Sequence, residues 1–153
     1  QPEEIEQIAL RLLERASNVL VTRAGEDAAA RIRAAQPEAE FLPRSGAIRV
    51  WRDRTIHGKG TLAIACAGTS DIPVAEEAQV TAEVMGNEVE VIHDIGVAGI
   101  HRLMGNSERL TKARVIVVRA GMEGALPSVV GGLVACPVIA LSLIHLSAPT
   151  RPY

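Results

Sequence analysis

The spacing of apolar positions changes character along the chain. Ile5, Ile8, Leu12 and Leu13 sit at helical intervals, so the pattern predicts a helix over residues 3–16. NVLVTRA (18–24) is a short apolar run that predicts a buried strand. Gly25-Glu26-Asp27 then opens a second helix through DAAARIRAAQ, which Pro37 stops. EFLP and AIRVW predict a strand and a return strand around Ser45-Gly46. These elements make a small α/β unit over residues 1–55. RDRTIHGKG (52–60) is polar and punctuated by glycine, which predicts a linker, with residues 56–60 between the two units.

From residue 61 the rhythm is strand, turn, helix, repeated. TLAIACA (61–67) predicts a strand, GTSD a turn, and PVAEEAQVTAEVMG a helix ended by Gly86. EVEVIHD (88–94) predicts the next strand, and IGVAGIHRL a loop entering a short helix. SERLTKA (107–113) is helical with Ser107 as its cap. RVIVVRA (114–120) is a strand, GMEGALPSVVGGLV a turn and helix, and CPVIAL (136–141) a fourth strand. Strands alternating with helices at this spacing imply right-handed crossovers and a parallel sheet. The second unit is therefore expected over 61–141. The last stretch, SLIHLSAPTRPY (142–153), differs in texture and is similar to a translated sequencing adapter, so it is expected to be non-native. The chain opens on Gln1 and runs straight into a helical pattern, and the expectation is a fragment truncated at both ends.

Composition narrows the function classes. Hydrophobic residues make up 48% and charged residues 22%, as in ordinary globular proteins. Phe41, Trp51 and Tyr153 are the only aromatics, so the core must be Val, Ile, Leu and Ala. Such a core suits a parallel sheet covered by helices. Net charge is −2, and residues 1–60 hold ten Lys/Arg against nine Asp/Glu, leaving six against nine for the rest. Neither part is basic enough for a nucleic-acid surface. No apolar run approaches the roughly 20 residues of a membrane helix. Cys66 and Cys136 are too far apart to read as a metal pair, and two cysteines at this size do not make a disulfide scaffold. The expectation is a cytoplasmic protein with reduced thiols and no metal site.

In an open parallel sheet, ligands bind beyond the carboxyl ends of the strands. Three turns there carry candidate chemistry. Gly68, Thr69, Ser70 and Asp71 lead into a helix, where amides, hydroxyls and the helix dipole favour an anion. Ser70 or Asp71 could equally be a plain helix cap, and Asp71 would repel a phosphate unless it binds a hydroxyl or a cation. In HDIGVAGIHRL, Asp94 ends a strand, Gly96 and Gly99 loosen the loop, and His101-Arg102 begin a helix. Arginine can grip a phosphate or carboxylate, and histidine can move a proton, although both could lie on a solvated face. His93 reads as structural. In the third turn, Gly121, Met122 and Gly124 surround Glu123. An apolar pocket would raise the pKa of that acid and a helix N-terminus would lower it, which suits acid or base work. A surface carboxylate is the plain alternative. Gly131 and Gly132 cost helix propensity and imply close packing against the sheet or a neighbouring subunit.

AGTSDIPVAEEAQVTAEVMGNEVEVIHDIGVAGIHRL and VIVVRAGMEGALPSVVGGLVACPVIAL together closely resemble LarB, the nickel pincer cofactor biosynthesis family, across residues 61–141. More distantly the second unit is similar to PurE, the phosphoribosylaminoimidazole carboxylase. The resemblance implies a PurE-like three-layer α/β fold of flavodoxin-like, Rossmannoid type, incomplete at its carboxyl end. It implies carboxylation of the pyridinium ring of nicotinic acid adenine dinucleotide with carbon dioxide or bicarbonate. Phosphoanhydride hydrolysis would then give pyridinium-3,5-biscarboxylic acid mononucleotide and AMP. No biotin or other tightly bound cofactor is implied, and a role for magnesium in the hydrolysis stays open. A homo-oligomer, an octamer in the intact family, is implied as well. Position by position, Gly68, Thr69, Ser70 and Asp71 match the ribose-phosphate turn, and His101 and Arg102 match the pair lining the pocket. Asp94, Gly99, Gly121, Met122 and Gly124 belong to the matching turns, and Glu123 matches the acid that takes the ring proton. The family's ring-attacking cysteine lies further along than Leu141. Neither Cys66 nor Cys136 matches it, so this chain alone is expected to be inactive or nearly so.

Two other readings stand beside this one. A PurE-like mutase acting on an aminoimidazole ribonucleotide is disfavoured by the extra amino-terminal unit and by the acid in GMEGAL. A non-catalytic nucleotide-binding module would need neither Glu123 nor a nucleophile.

Overall fold

The computed structural model describes residues 1–121 and 124–141. Met122, Glu123 and the 142–153 stretch lie outside the described residues.

Helix α1 (Pro2–Leu13) and helix α2 (Glu26–Ala35) pack on a three-stranded antiparallel sheet. Its strands are β1 (Asn18–Val21), β2 (Glu40–Leu42) and β3 (Ala47–Trp51), in the order β1-β3-β2. Ala9, Val19, Ala28, Ile32, Ile48 and Val50 form its core. β1 stops three residues short of the sequence expectation because Arg23 takes a left-handed φ of 55°. That backbone cannot continue a strand.

The second sheet has four parallel strands. They are β4 (Thr61–Cys66), β5 (Glu88–Ile92), β6 (Val115–Arg119) and β7 (Val138–Leu141), in the order β5-β4-β6-β7. Helix α3 (Ile72–Val84) covers one face, where Ile64, Cys66 and Ala75 are buried. Helices α4 (Ile100–Gly105), α5 (Ser107–Lys112) and α6 (Leu126–Leu133) cover the other. Ala63, Ala65, Ile92, Leu103, Leu110, Ile116, Val118, Leu126 and Val130 fill that layer. The alternation along β4, with small alanines on one face, follows the period of two in a strand. The architecture is flavodoxin-like α/β with a small antiparallel companion sheet, as the strand–helix rhythm implies. β5 ends at Ile92 rather than residue 94, since Asp94 is left-handed at φ 58°. α5 is preceded by Asn106, so Ser107 is its first residue and not its cap.

Residues 52–60 hold no helix or strand, yet they are pinned. Asn18 Nδ2 donates to the Asp53 carbonyl at 2.7 Å, and the Asp53 amide donates back to Asn18 Oδ1 at 2.9 Å. The His57 and Gly58 amides donate to the Gly86 carbonyl at 2.7 and 3.0 Å. α3 is tied to the antiparallel sheet by Arg49 Nη1 donating to Glu83 Oε2 at 2.7 Å and by the Ser45 amide donating to Glu76 Oε2 at 2.9 Å. Of the two expectations for Gly131 and Gly132, packing against the sheet does not hold: among the described residues a Cβ at either would meet nothing within 4 Å.

Candidate functional site

The chain leaves β4 to one side to form β5, then crosses back over β4 to form β6. The strand order therefore reverses between β4 and β6. Loops diverge at such a point and leave a crevice at the carboxyl ends of the strands.

Three loops meet there. After β4, Ala67 is fixed to β6 by its amide donating to the Arg119 carbonyl at 3.2 Å. Gly68 starts a single 3-10 turn, Thr69–Asp71, which runs into α3. The Asp71 amide donates to the Gly68 carbonyl at 3.0 Å, and the Gly68 amide donates to Asp71 Oδ2 at 3.2 Å. Asp71 thus stands at the N-cap position of α3, but its carboxylate makes no capping bond to that helix and closes the preceding turn instead. After β5, the Ile95 amide donates to the Cys66 carbonyl at 3.2 Å and draws the 93–99 loop over the end of β4. Arg102 reaches back from α4: its Nε donates to the Asp94 carbonyl at 2.8 Å and lies 3.3 Å from Asp94 Oδ2. Gly99 is needed for this, because a Cβ there would overlap the Arg102 guanidinium. After β6, Gly121 lies so close to Asp71 that a Cβ would stand 3.1 Å from Oδ1.

Together these loops enclose a cavity of about 230 Å³. Ala67, Val97, Ala98, Ala120, Ala125 and Leu126 supply apolar walls, and Ser70, Asp71 and Arg102 supply polar groups, with Gly68, Gly96 and Gly121 between them. The volume is below the roughly 300–1,000 Å³ of a drug-sized pocket, so it suits one part of a large ligand. A few convergent polar groups on an apolar wall is the arrangement that orients a small molecule.

Of the other residues expected at the site, those described do not line the cavity. Thr69 and His101 are exposed and do not line the cavity. Asp94 is exposed and acts on the site through Arg102. Gly99 is buried behind that guanidinium. Gly124 closes the turn after β6, its amide donating to the Gly121 carbonyl at 3.2 Å. Glu123 and Met122 lie outside the described residues. His93, read as structural, holds Nδ1 3.2 Å from Cys66 Sγ. Burial pushes the Cys66 thiol above its ordinary range, despite a backbone contact at Asp94, and Cys66 does not line the cavity. Cys136 does not line it either.

Sequence reasoning missed Arg119. It ends an apolar strand and is only 5% exposed, and its Nε lies 3.2 Å from Asp71 Oδ1. A larger cavity of about 670 Å³ lies on the α3 face, against Leu62, Val117, Ile139 and Leu141. It follows the sheet face, away from the strand-end loops, so it is not the crevice described above. Among the described residues no group of three or more His, Cys, Asp or Glu side chains is disposed to hold a metal ion. No helix among them is long and apolar enough to cross a membrane.

Residues 1–52, which contain α1, α2 and all three antiparallel strands, match the family model for the LarB/PurE-like N-terminal domain. The chain is also 55% identical over 82 residues to an uncharacterized protein of Methanocaldococcus jannaschii. That alignment covers 52% of the chain and 32% of the relative, so the matched part spans about a third of that relative's length. Residues 1–52 are therefore similar to a LarB/PurE-like N-terminal domain, and the parallel α/β sheet that follows is consistent with a PurE-like fold.

Proposed function

We propose that the chain handles the dinucleotide substrate of a LarB-type, biotin-independent carboxylase. The observation that carries this reading is the crevice between β4 and β6, where Ser70, Asp71 and Arg102 converge on apolar walls. In this reading the Gly68–Ser70 turn and Arg102 hold a phosphate of nicotinic acid adenine dinucleotide. Asp71 takes a ribose hydroxyl, and the pyridinium ring lies on the apolar wall. A thiolate adding to the cationic ring gives a neutral enamine whose carbon attacks carbon dioxide. Glu123 then takes the proton from that ring carbon as the thiolate leaves, and water cleaves the phosphoanhydride to release AMP. His101 assists proton movement, and a magnesium ion, where bound, would supply charge stabilisation at the hydrolysis. Homo-oligomer formation belongs to the same reading.

Neither Cys66 nor Cys136 lines the cavity, so the reading assigns the nucleophile to neither. Calorimetric titration with nicotinic acid adenine dinucleotide tests the binding part, beside incorporation of labelled bicarbonate. Saturable binding that weakens in Arg102→Ala, with almost no label fixed by this chain, is expected. Absence of saturable binding removes the reading. Label fixed at a rapid, sustained rate removes the assignment of the nucleophile. In LarB-type proteins that carry the nucleophile, Glu123→Gln should abolish turnover and keep binding. A non-catalytic module would change in neither.

A further inference from the structure

A bare carboxylate is a poor neighbour for a phosphate, yet Asp71 stands in the turn best suited to one. Behind it lies the buried guanidinium of Arg119. We propose that Arg119 is a positioning residue that neutralises Asp71 from behind and so opens the Gly68–Ser70 turn to a phosphate ester. The inference rests on the nucleotide reading above.

The geometry separates the two arginines. Arg102 lines the cavity and is half-exposed, free to meet a ligand. Arg119 does not line it; its side chain lies on the α3 side of the sheet, in register with Cys66 at the strand ends. Its Nη1 donates to the Leu141 carbonyl at 3.1 Å, which fixes the guanidinium between the end of β7 and the start of α3. Its Nε faces Asp71 Oδ1 at 3.2 Å, while Asp71 Oδ2 accepts from the Gly68 amide. Among the described residues, neither Nε nor Oδ1 has a well-aligned hydrogen-bond partner. The contact is therefore chiefly one of charge. Removing the cation would leave a buried carboxylate facing the ligand, where low polarity strengthens repulsion. Removing both charges would leave a neutral turn that an anion can still approach.

AMP binding to the whole chain, measured by calorimetry at low ionic strength, tests this. Arg119→Met should weaken AMP by at least about tenfold, and Arg119→Lys should stay within about threefold of wild type. Asp71→Asn combined with Arg119→Met should bind AMP within about threefold of Asp71→Asn alone, because the carboxylate that Arg119 neutralises has gone. A residue that merely supports the fold would lower affinity in both backgrounds. Arg119→Met within about twofold of wild type, or a double variant about tenfold or more weaker than Asp71→Asn, overturns the proposal. Should Arg119→Met not fold, the lysine variant against wild type and the double variant against Asp71→Asn carry the test, and a loss of about tenfold or more in either overturns it. If wild type binds no AMP, the nucleotide reading itself fails and takes this inference with it. Wild type binding with unresponsive variants sinks this inference alone.

Discussion

Gly99→Ala separates a binding defect from a folding defect. The residue is buried at the start of α4 with φ −122°, a backbone that alanine can adopt. A Cβ there would lie 2.8 Å from Arg102 Nη1 and closer still to Cζ and Nη2, so the side chain must move. What moves is the far end of a flexible arm rather than backbone. Arg102 would lose its donation to the Asp94 carbonyl at 2.8 Å and its pairing with the Asp94 carboxylate. Both ends of that pair are well exposed, so the loss costs about 0–1 kcal/mol. Replacing glycine stiffens the unfolded chain and returns roughly 0.4–1 kcal/mol. Net stability should stay within about 1 kcal/mol, a melting shift of roughly 2–4 °C for a chain of this size. Binding should suffer more. A hydrogen bond to a charged group contributes about 1.5–3 kcal/mol, so displacing Arg102 should weaken AMP or the dinucleotide roughly 10- to 150-fold. Differential scanning fluorimetry and calorimetric titration read the two quantities on one sample. A melting temperature lowered by more than about 10 °C would show that Gly99 serves packing instead. Unchanged affinity in Gly99→Ala, alongside a loss in Arg102→Ala, would show that the guanidinium keeps its place despite the Cβ.

Three further outcomes follow from the same structure. Gly131→Ala and Gly132→Ala meet open space in α6, so each should stabilise the chain by about 0.4–1 kcal/mol in urea denaturation; destabilisation with a change in sedimentation would instead place a neighbouring subunit there. Leu103→Ala removes a fully buried side chain between α4 and the sheet and should cost about 2–5 kcal/mol by the same assay, whereas a loss below 1 kcal/mol would mean that layer is loosely packed. Burial raises the Cys66 thiol, so the folded chain keeps that proton above the free value of about 8.5; the contribution is full below that pH and is lost as pH rises through the folded value. The urea midpoint should therefore fall more steeply between pH 8 and 10 in wild type than in Cys66→Ala, and equal slopes would count against it.

What the chain order reveals and what it hides divide along physical lines. Local patterns told most of the fold. Apolar runs of five or six residues, each followed by a glycine turn and a helical stretch, leave few choices beyond a parallel sheet. The strand ends were misjudged at residues 22–24 and 93–94 because Arg23 and Asp94 adopt left-handed backbone, which side-chain pattern does not encode. For Gly131 and Gly132 the pattern does not distinguish the sheet from other surroundings, since a missing side chain looks the same whether a neighbour or open space stands beside it.

The site divides similarly. That the Gly68, Gly96 and Gly121 turns share one cavity follows from the rule about strand ends, and Ser70 and Arg102 were identifiable as polar groups near those turns. Which face of a short helix a residue takes is not legible in sequence, so the pattern assigns both His101 and Arg102 to the pocket although only the arginine lines the cavity. Arg119 was invisible for a deeper reason. In sequence it is a charge at the end of an apolar strand, 48 positions from Asp71, and the nearest acid along the chain is Glu123. The pairing exists only because β6 lies beside β4, so that the end of one strand meets the first turn after the other. A carboxylate that looks wrong for its turn is the one local trace of that contact. It is intelligible only if a cation is buried behind it, because an uncompensated buried charge is among the costliest defects a fold can carry.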